Sequence, residues 1–132
     1  MNYELLLREC NMKVTPQRLG ILAMMCENGH ISIEDLYVKI KKQFSSISLA
    51  TLYKNVNAMI DVSLLKEVKI PHMKSKYELA KTPHAHLLCE SCGVLEDLEM
   101  DMDEVSHLLA SKSDFKVNET NLIFSGTCHN CQ

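Results

Sequence analysis

Apolar residues recur at helical spacing as far as residue 61 and alternate with polar ones soon after, so the chain predicts a helical first part followed by strands. Residues 2–10 predict a short helix with Leu5 and Leu6 toward a core. Thr15-Pro16 opens a second, with a hydroxyl to cap the first turn and a ring already fixed at helical φ. That helix turns Leu19, Leu22, Met25 and Cys26 inward and stops near Asn28-Gly29. Ser32 caps a third, whose Ile33, Leu36, Tyr37 and Ile40 fall at i, i+3, i+4 and i+7. Ser48 caps a fourth over 49–61, with Leu49, Leu52, Val56, Met59 and Ile60 forming one stripe. Ala50, Thr51, Tyr53, Lys54 and Asn57 lie opposite that stripe. Strands are predicted over 66–70 and 75–79, with Pro71-His72-Met73-Lys74 as the turn.

Helices followed by a β-hairpin is the order of a winged helix, whose last helix before the hairpin enters the major groove of DNA. The outer face of helix 49–61 suits that role, since it carries small, hydroxyl, aromatic and basic residues. We take Lys13, Arg18, Ser48, Ala50, Thr51, Tyr53 and Lys54 as its candidate DNA-contacting residues. A plain amphipathic helix of a small domain is the rival explanation.

Ala80-Lys81-Thr82-Pro83 has no periodicity and reads as a hinge. Strands are predicted over 84–89, 94–99 and 121–128. Asp101 with Glu104 forms a capping-box pattern ahead of a helix that turns Met102, Val105, Leu108 and Leu109 inward. The fold class is α+β: a winged helix-turn-helix domain over 1–79, a hinge at 80–84 and a small α/β domain over 85–132.

Charge supports the division. The net charge of −3 hides a basic first part, with 11 Lys/Arg against 7 Asp/Glu in residues 1–77, and an acidic remainder with 3 against 10. Only the first part is suited to a polyanion. Hydrophobic residues at 46% permit a core, although either part alone would gain from a staple or a partner. No apolar run is long enough to span a bilayer, and the N-terminal Met-Asn-Tyr-Glu-Leu-Leu-Leu-Arg lacks the layout of a secretion signal. A cytoplasmic, reducing location is expected, with no membrane partner.

In such a location cysteine pairs favour metal over disulfides. Cys89-Glu-Ser-Cys92 and Cys128-His-Asn-Cys131 supply four thiolates, enough to close a tetrahedral Zn²⁺ site across the 35 residues between them. Redox dithiols, or four unrelated buried cysteines, are the competing readings. His84-Ala-His86 stands just before the first pair. In an extended chain both rings point to one side and make half a site, which spacing alone leaves without its oxygen partners. Glu78 and Asp97 flank these histidines in sequence, and His30 lies in the turn before the third helix. His72, His107 and His129 read as bystanders, and Cys10 and Cys26 as small buried hydrophobes.

Three stretches resemble the ferric uptake regulator (Fur) superfamily: Val-Thr-Pro-Gln-Arg, Ser-Leu-Ala-Thr-Leu-Tyr-Lys-Asn-Val, and His-Ala-His-Leu-Leu-Cys-Glu-Ser-Cys-Gly with Cys-His-Asn-Cys downstream. The resemblance covers essentially the whole chain. It implies a homodimeric, metal-dependent repressor that binds a palindromic double-stranded DNA operator, with residues 85–132 as the dimerisation domain. It also implies structural zinc on Cys89, Cys92, Cys128 and Cys131, and regulatory Fe²⁺ or Mn²⁺ on His30, Glu78, His84, His86 and Asp97. An ion held by all five residues would tie the two domains together. Asp97, where iron sensors usually carry glutamate, resembles the peroxide-sensing (PerR) branch, which implies oxidation of His30 and His84. Pro83-His84-Ala85-His86 also departs from the His-His-Asp-His of the iron-sensing branch. Glu78 departs from the aspartate of the peroxide sensors, which leaves a metal sensor without peroxide chemistry as the alternative.

Two enzyme readings compete with a regulator. A thiol oxidoreductase would use one cysteine pair, but no βαβ pattern surrounds either. A hydrolase at the histidines would need a pocket for a small organic substrate, and none is legible. A purely structural zinc ribbon would not need the basic helical part.

Overall fold

Each helix of the first part starts on a side chain that closes its own first turn. Asn2 Oδ1 accepts from the Leu5 amide at 3.1 Å ahead of α1 (Tyr3–Glu9), and Thr15 Oγ1 from Arg18 at 3.2 Å ahead of α2 (Pro16–Asn28). Ser32 Oγ accepts from Asp35 at 3.2 Å ahead of α3 (Ile33–Lys41), and Ser48 Oγ from Thr51 at 3.1 Å ahead of α4 (Leu49–Asp61). Each bond satisfies a donor that the helix geometry orphans. Gly29, at φ 72°, ends α2 in a conformation that a side chain would strain.

The computed structural model describes residues 2–132. It divides into a unit ending at Ala80 and a unit running Lys81–Gln132.

In the first unit the helices surround one core of Leu7, Ile21, Leu22, Met25, Leu36, Ile40, Leu52, Val56 and Met59, all fully buried. A three-stranded antiparallel sheet closes it: β1 (Ile31–Ser32), β2 (Leu65–Val68) and β3 (Lys76–Leu79), in the order β1-β3-β2. The hairpin of β2 and β3 is the wing, and its register runs Leu65↔Leu79 to Val68↔Lys76. β1 is absent from the sequence reading, because two residues carry no alternation to detect.

Three inward assignments differ in detail. Leu7, not Leu5, fills the core from α1, because Tyr3, Leu7 and Cys10 share a face at i, i+4 and i+7 while Leu5 is 51% exposed. Cys26 is exposed on α2. Leu49 is 42% exposed, so the buried stripe of α4 begins one turn later, at Leu52.

The second unit is a sheet of β4 (Ala85–Cys89), β5 (Leu95–Leu98) and β6 (Ile123–Gly126), in the order β5-β4-β6. β4 lies antiparallel to β5 and parallel to β6. The crossover between β5 and β6 carries α5 (Met102–Ala110). Asp101 caps α5 through the Asp103 amide at 2.9 Å, the second helical residue rather than Glu104 of the expected capping box. The inward face predicted for α5 is also not buried: Leu108 is 60% exposed and none of its residues is buried. The apolar periodicity of α5 stands, but nothing within a single copy of this unit covers that face.

Leu52 is fully enclosed in α4, so Leu52→Ala should destabilise the first unit by about 2–5 kcal/mol. Urea unfolding followed by helical circular dichroism measures this.

Candidate metal and nucleic-acid sites

The end of β4 and the segment after β6 bring four cysteines together. The Sγ atoms of Cys89, Cys92, Cys128 and Cys131 all lie within 4.8 Å of one another. Gly93, at φ 79°, turns the chain so that its amide reaches Cys89 O at 2.9 Å and Val94 O accepts from the Cys89 amide at 3.0 Å. The Glu90 amide reaches Gly126 O at 2.8 Å, which carries the parallel pairing up to the second cysteine pair.

Cys92 Sγ and Cys128 Sγ stand 3.8 Å apart. A tetrahedron of sulfurs each about 2.3 Å from a zinc ion has edges of about 3.8 Å. All six cysteines are free, so no disulfide competes for these four. The Cys128 amide at 3.3 Å, then the Cys92 amide at 3.5 Å, stabilise the Cys89 thiolate and hold its pKa down to about 6. Hydrogen bonds between the Cys131 thiol and the sulfurs of Cys128, Cys92 and Cys89, in that order, push Cys131 up to about 12. Four thiolates in this space require a cation, and the donor set fits Zn²⁺.

On the same sheet, His86 pairs with Asp97 across β4 and β5. His84, two residues earlier, points to the same side, as the His-x-His spacing predicts. His84 Nε2 and His86 Nε2 are 3.0 Å apart, and each stands 3.4 Å from Asp97 Oδ1. A triangle of that size surrounds a point about 2 Å from all three atoms, the bond length of imidazole and carboxylate to a divalent ion. Thr82 O takes the Nδ1 proton of His84 at 2.9 Å, which turns the Nε2 lone pair toward the triangle. Both histidines are buried. Lys81, which the sequence reading left in the hinge, forms an ion pair with Asp97 Oδ2.

In the first unit, His30 Nε2 lies 2.9 Å from Glu78 Oε2. The short strand β1 produces this contact: with Ile31 opposite Tyr77, the antiparallel register sets residue 30 against 78. Glu78 is 1% exposed, and a carboxylate so buried needs a charged or hydrogen-bonding neighbour.

On α4, Ser48, Ala50, Tyr53 and Lys54 are exposed and Thr51 is half-buried, so these candidates share the outer face of one helix. Lys13 is exposed just ahead of α2. Arg18 is tied inward, donating from Nε to Asn55 Oδ1 at 3.1 Å and from Nη1 to Lys13 O at 2.8 Å. Asn55 in turn donates to Thr51 O at 3.2 Å. Arg18 therefore fixes α2 against α4, a link that no periodicity announces. Tyr37 OH donates to Ile47 O at 3.2 Å and holds the turn between α3 and α4.

Residues 9–125 match the Ferric uptake regulator family. The chain is 32% identical over 127 residues to the peroxide operon regulator of Bacillus subtilis, covering 95% of this chain and 88% of the relative. It is 30% identical over 132 residues to the ferric uptake regulation protein of the same organism, covering 95% and 89%. The crystal structure of the Campylobacter jejuni peroxide stress regulator superposes with a TM-score of 0.77 at 34% identity, covering 99% of this chain and all of that one. The chain belongs to the ferric uptake regulator family, and it is a metal-responsive transcriptional regulator, not an enzyme. Among the described residues, no helix is long and apolar enough to cross a membrane.

Proposed function

We propose that this regulator is a cytoplasmic, homodimeric repressor that holds a palindromic operator while its regulatory metal is bound and releases it when peroxide oxidises that site. Structural Zn²⁺ sits on Cys89, Cys92, Cys128 and Cys131. Fe²⁺ or Mn²⁺ is taken by His84, His86 and Asp97 together with His30 and Glu78. The observation that carries this reading is the triangle of His84, His86 and Asp97, in a chain of this family whose α4 presents a polar outer face. The exposed apolar face of α5 supports a second copy as the dimer partner. Likeness to peroxide regulators of Bacillus subtilis and Campylobacter jejuni supports the peroxide reading.

Iron bound at this site would activate peroxide, and the two electrons that reduce it would come from the imidazole that is oxidised. The reacting groups of the chain are the imidazoles of His30 and His84. A ring carbon takes one peroxide oxygen, the other leaves as water, and the oxidised ring is a poorer donor. An oxidised His84 no longer closes its triangle with His86 and Asp97, and an oxidised His30 no longer matches Glu78. The regulator then loses the state that binds DNA, because a ligand holds a conformation only through its differential affinity for it. A second reading, a metal-responsive repressor without peroxide chemistry, is favoured by Glu78, whose extra methylene changes the reach of that carboxylate, and by the comparable likeness to a ferric uptake regulation protein.

Three measurements test this. Protein purified without oxygen should hold one Zn²⁺ per chain, and Cys→Ser at 89, 92, 128 or 131 should lose both the zinc and the dimer. A stable, zinc-free dimer of the quadruple variant would refute the zinc assignment. Lys54→Ala should weaken operator binding and lower the salt slope by about one for each protomer. Mild peroxide should add one oxygen to peptides bearing His30 or His84 in the iron form and none in the manganese form, read by mass spectrometry. Intact histidines with DNA still bound by the iron form would select the second reading.

A further inference from the structure

The Asp97 carboxylate is used on both sides. Its Oδ1 faces His84 Nε2 and His86 Nε2 at 3.4 Å, while its Oδ2 is held by the Lys81 ammonium. Lys81 lies three residues before His84, in the stretch leading into β4, so the backbone that delivers the imidazoles also delivers a cation to the same acid. We propose that Lys81 is a resident counter-ion on Asp97 Oδ2 that competes with a divalent metal at Oδ1 for the charge of this carboxylate, and that it raises the metal concentration at which this site fills. The proposal rests on the regulatory-metal reading above and adds to it a residue that makes no bond to the ion.

The argument is one of charge and exposure. Asp97 is the acidic member of the triangle and, with Glu78, one of two carboxylates in the proposed donor set, so its charge helps draw a divalent ion to the two rings. The ammonium on that carboxylate offsets part of the charge an ion would meet there. An ion entering at Oδ1 then shares the carboxylate with the ammonium on Oδ2, and the two cations repel. The Lys81 side chain is 44% exposed, so it can swing into water and remain charged. A partly exposed ion pair is worth up to about 1 kcal/mol. Weakening of the pair on metal entry therefore lowers affinity by up to about fivefold. The threshold rises without any change in the donors, and selectivity among divalent ions is left to them.

The test is a Mn²⁺ titration of the full-length, zinc-loaded protein, with free ion followed by electron paramagnetic resonance. Lys81→Gln should bind Mn²⁺ up to about fivefold more tightly than the unaltered chain, while Lys81→Arg should stay within about twofold of it. Asp97→Asn should lose the binding. Unchanged or weaker binding by Lys81→Gln, with Asp97→Asn still defective, overturns the role of Lys81 and leaves the regulatory site standing. Equal binding by the unaltered chain and Asp97→Asn overturns the regulatory site and the inference together. Lys112→Gln, at an exposed position just after α5, controls for net charge and should leave the affinity unchanged.

Discussion

The second unit depends on four sulfur atoms. Its 52 residues bury only Ala85, Leu88, Cys89 and Leu95 as hydrophobic core, and α5 contributes no buried side chain. That little apolar burial does not offset the ordering of so many residues. The cysteine cluster supplies what the core lacks, because it joins the end of β4 to the end of β6 where Cys89 pairs with Gly126. Holding that register also holds His86 beside Asp97, one strand over. A closed thiolate site thus fixes the position of an open imidazole–carboxylate site on the same sheet, and the two sites need different donor chemistry for that reason. On the proposed reading, soft sulfur would hold a permanent ion, and harder nitrogen and oxygen an exchangeable one.

The first unit solves a different problem with different means. Its core is large enough to stand on packing, and its capped helices fix where each element begins. The outer face of α4 is presented by that packing from within and by the Arg18–Asn55 bond at its edge. Two residues of β1 then do something the helices cannot. They extend the wing sheet by one strand, and the register carries His30 to Glu78.

Most of this architecture was legible in the sequence because its signals are local. Thr15-Pro16, Ser32 and Ser48 announce helix starts through bonds made within three residues, and the cysteine pairs announce a shared ion through their own spacing. What escaped is set by distant partners. A two-residue strand has no period. Arg18 meets Asn55 across 37 positions, and Lys81 meets Asp97 across a turn and two strands. The inward face assigned to α5 failed for a related reason. An apolar stripe says that a face is meant to be covered, without saying by which molecule.

The parallel pairing of β4 with β6 also governs the order in which the chain becomes structured. Capped helices close over three or four residues and form early, whereas His86 must wait for Ile123, 37 positions further on. The first unit is therefore rich in quick, short-range contacts, and the sheet bearing the cysteines forms by slow, long-range closure. Because Cys128 and Cys131 follow β6, the four sulfurs come together only once that strand is in place, so closing the sheet and assembling the metal cluster depend on the same long-range contact.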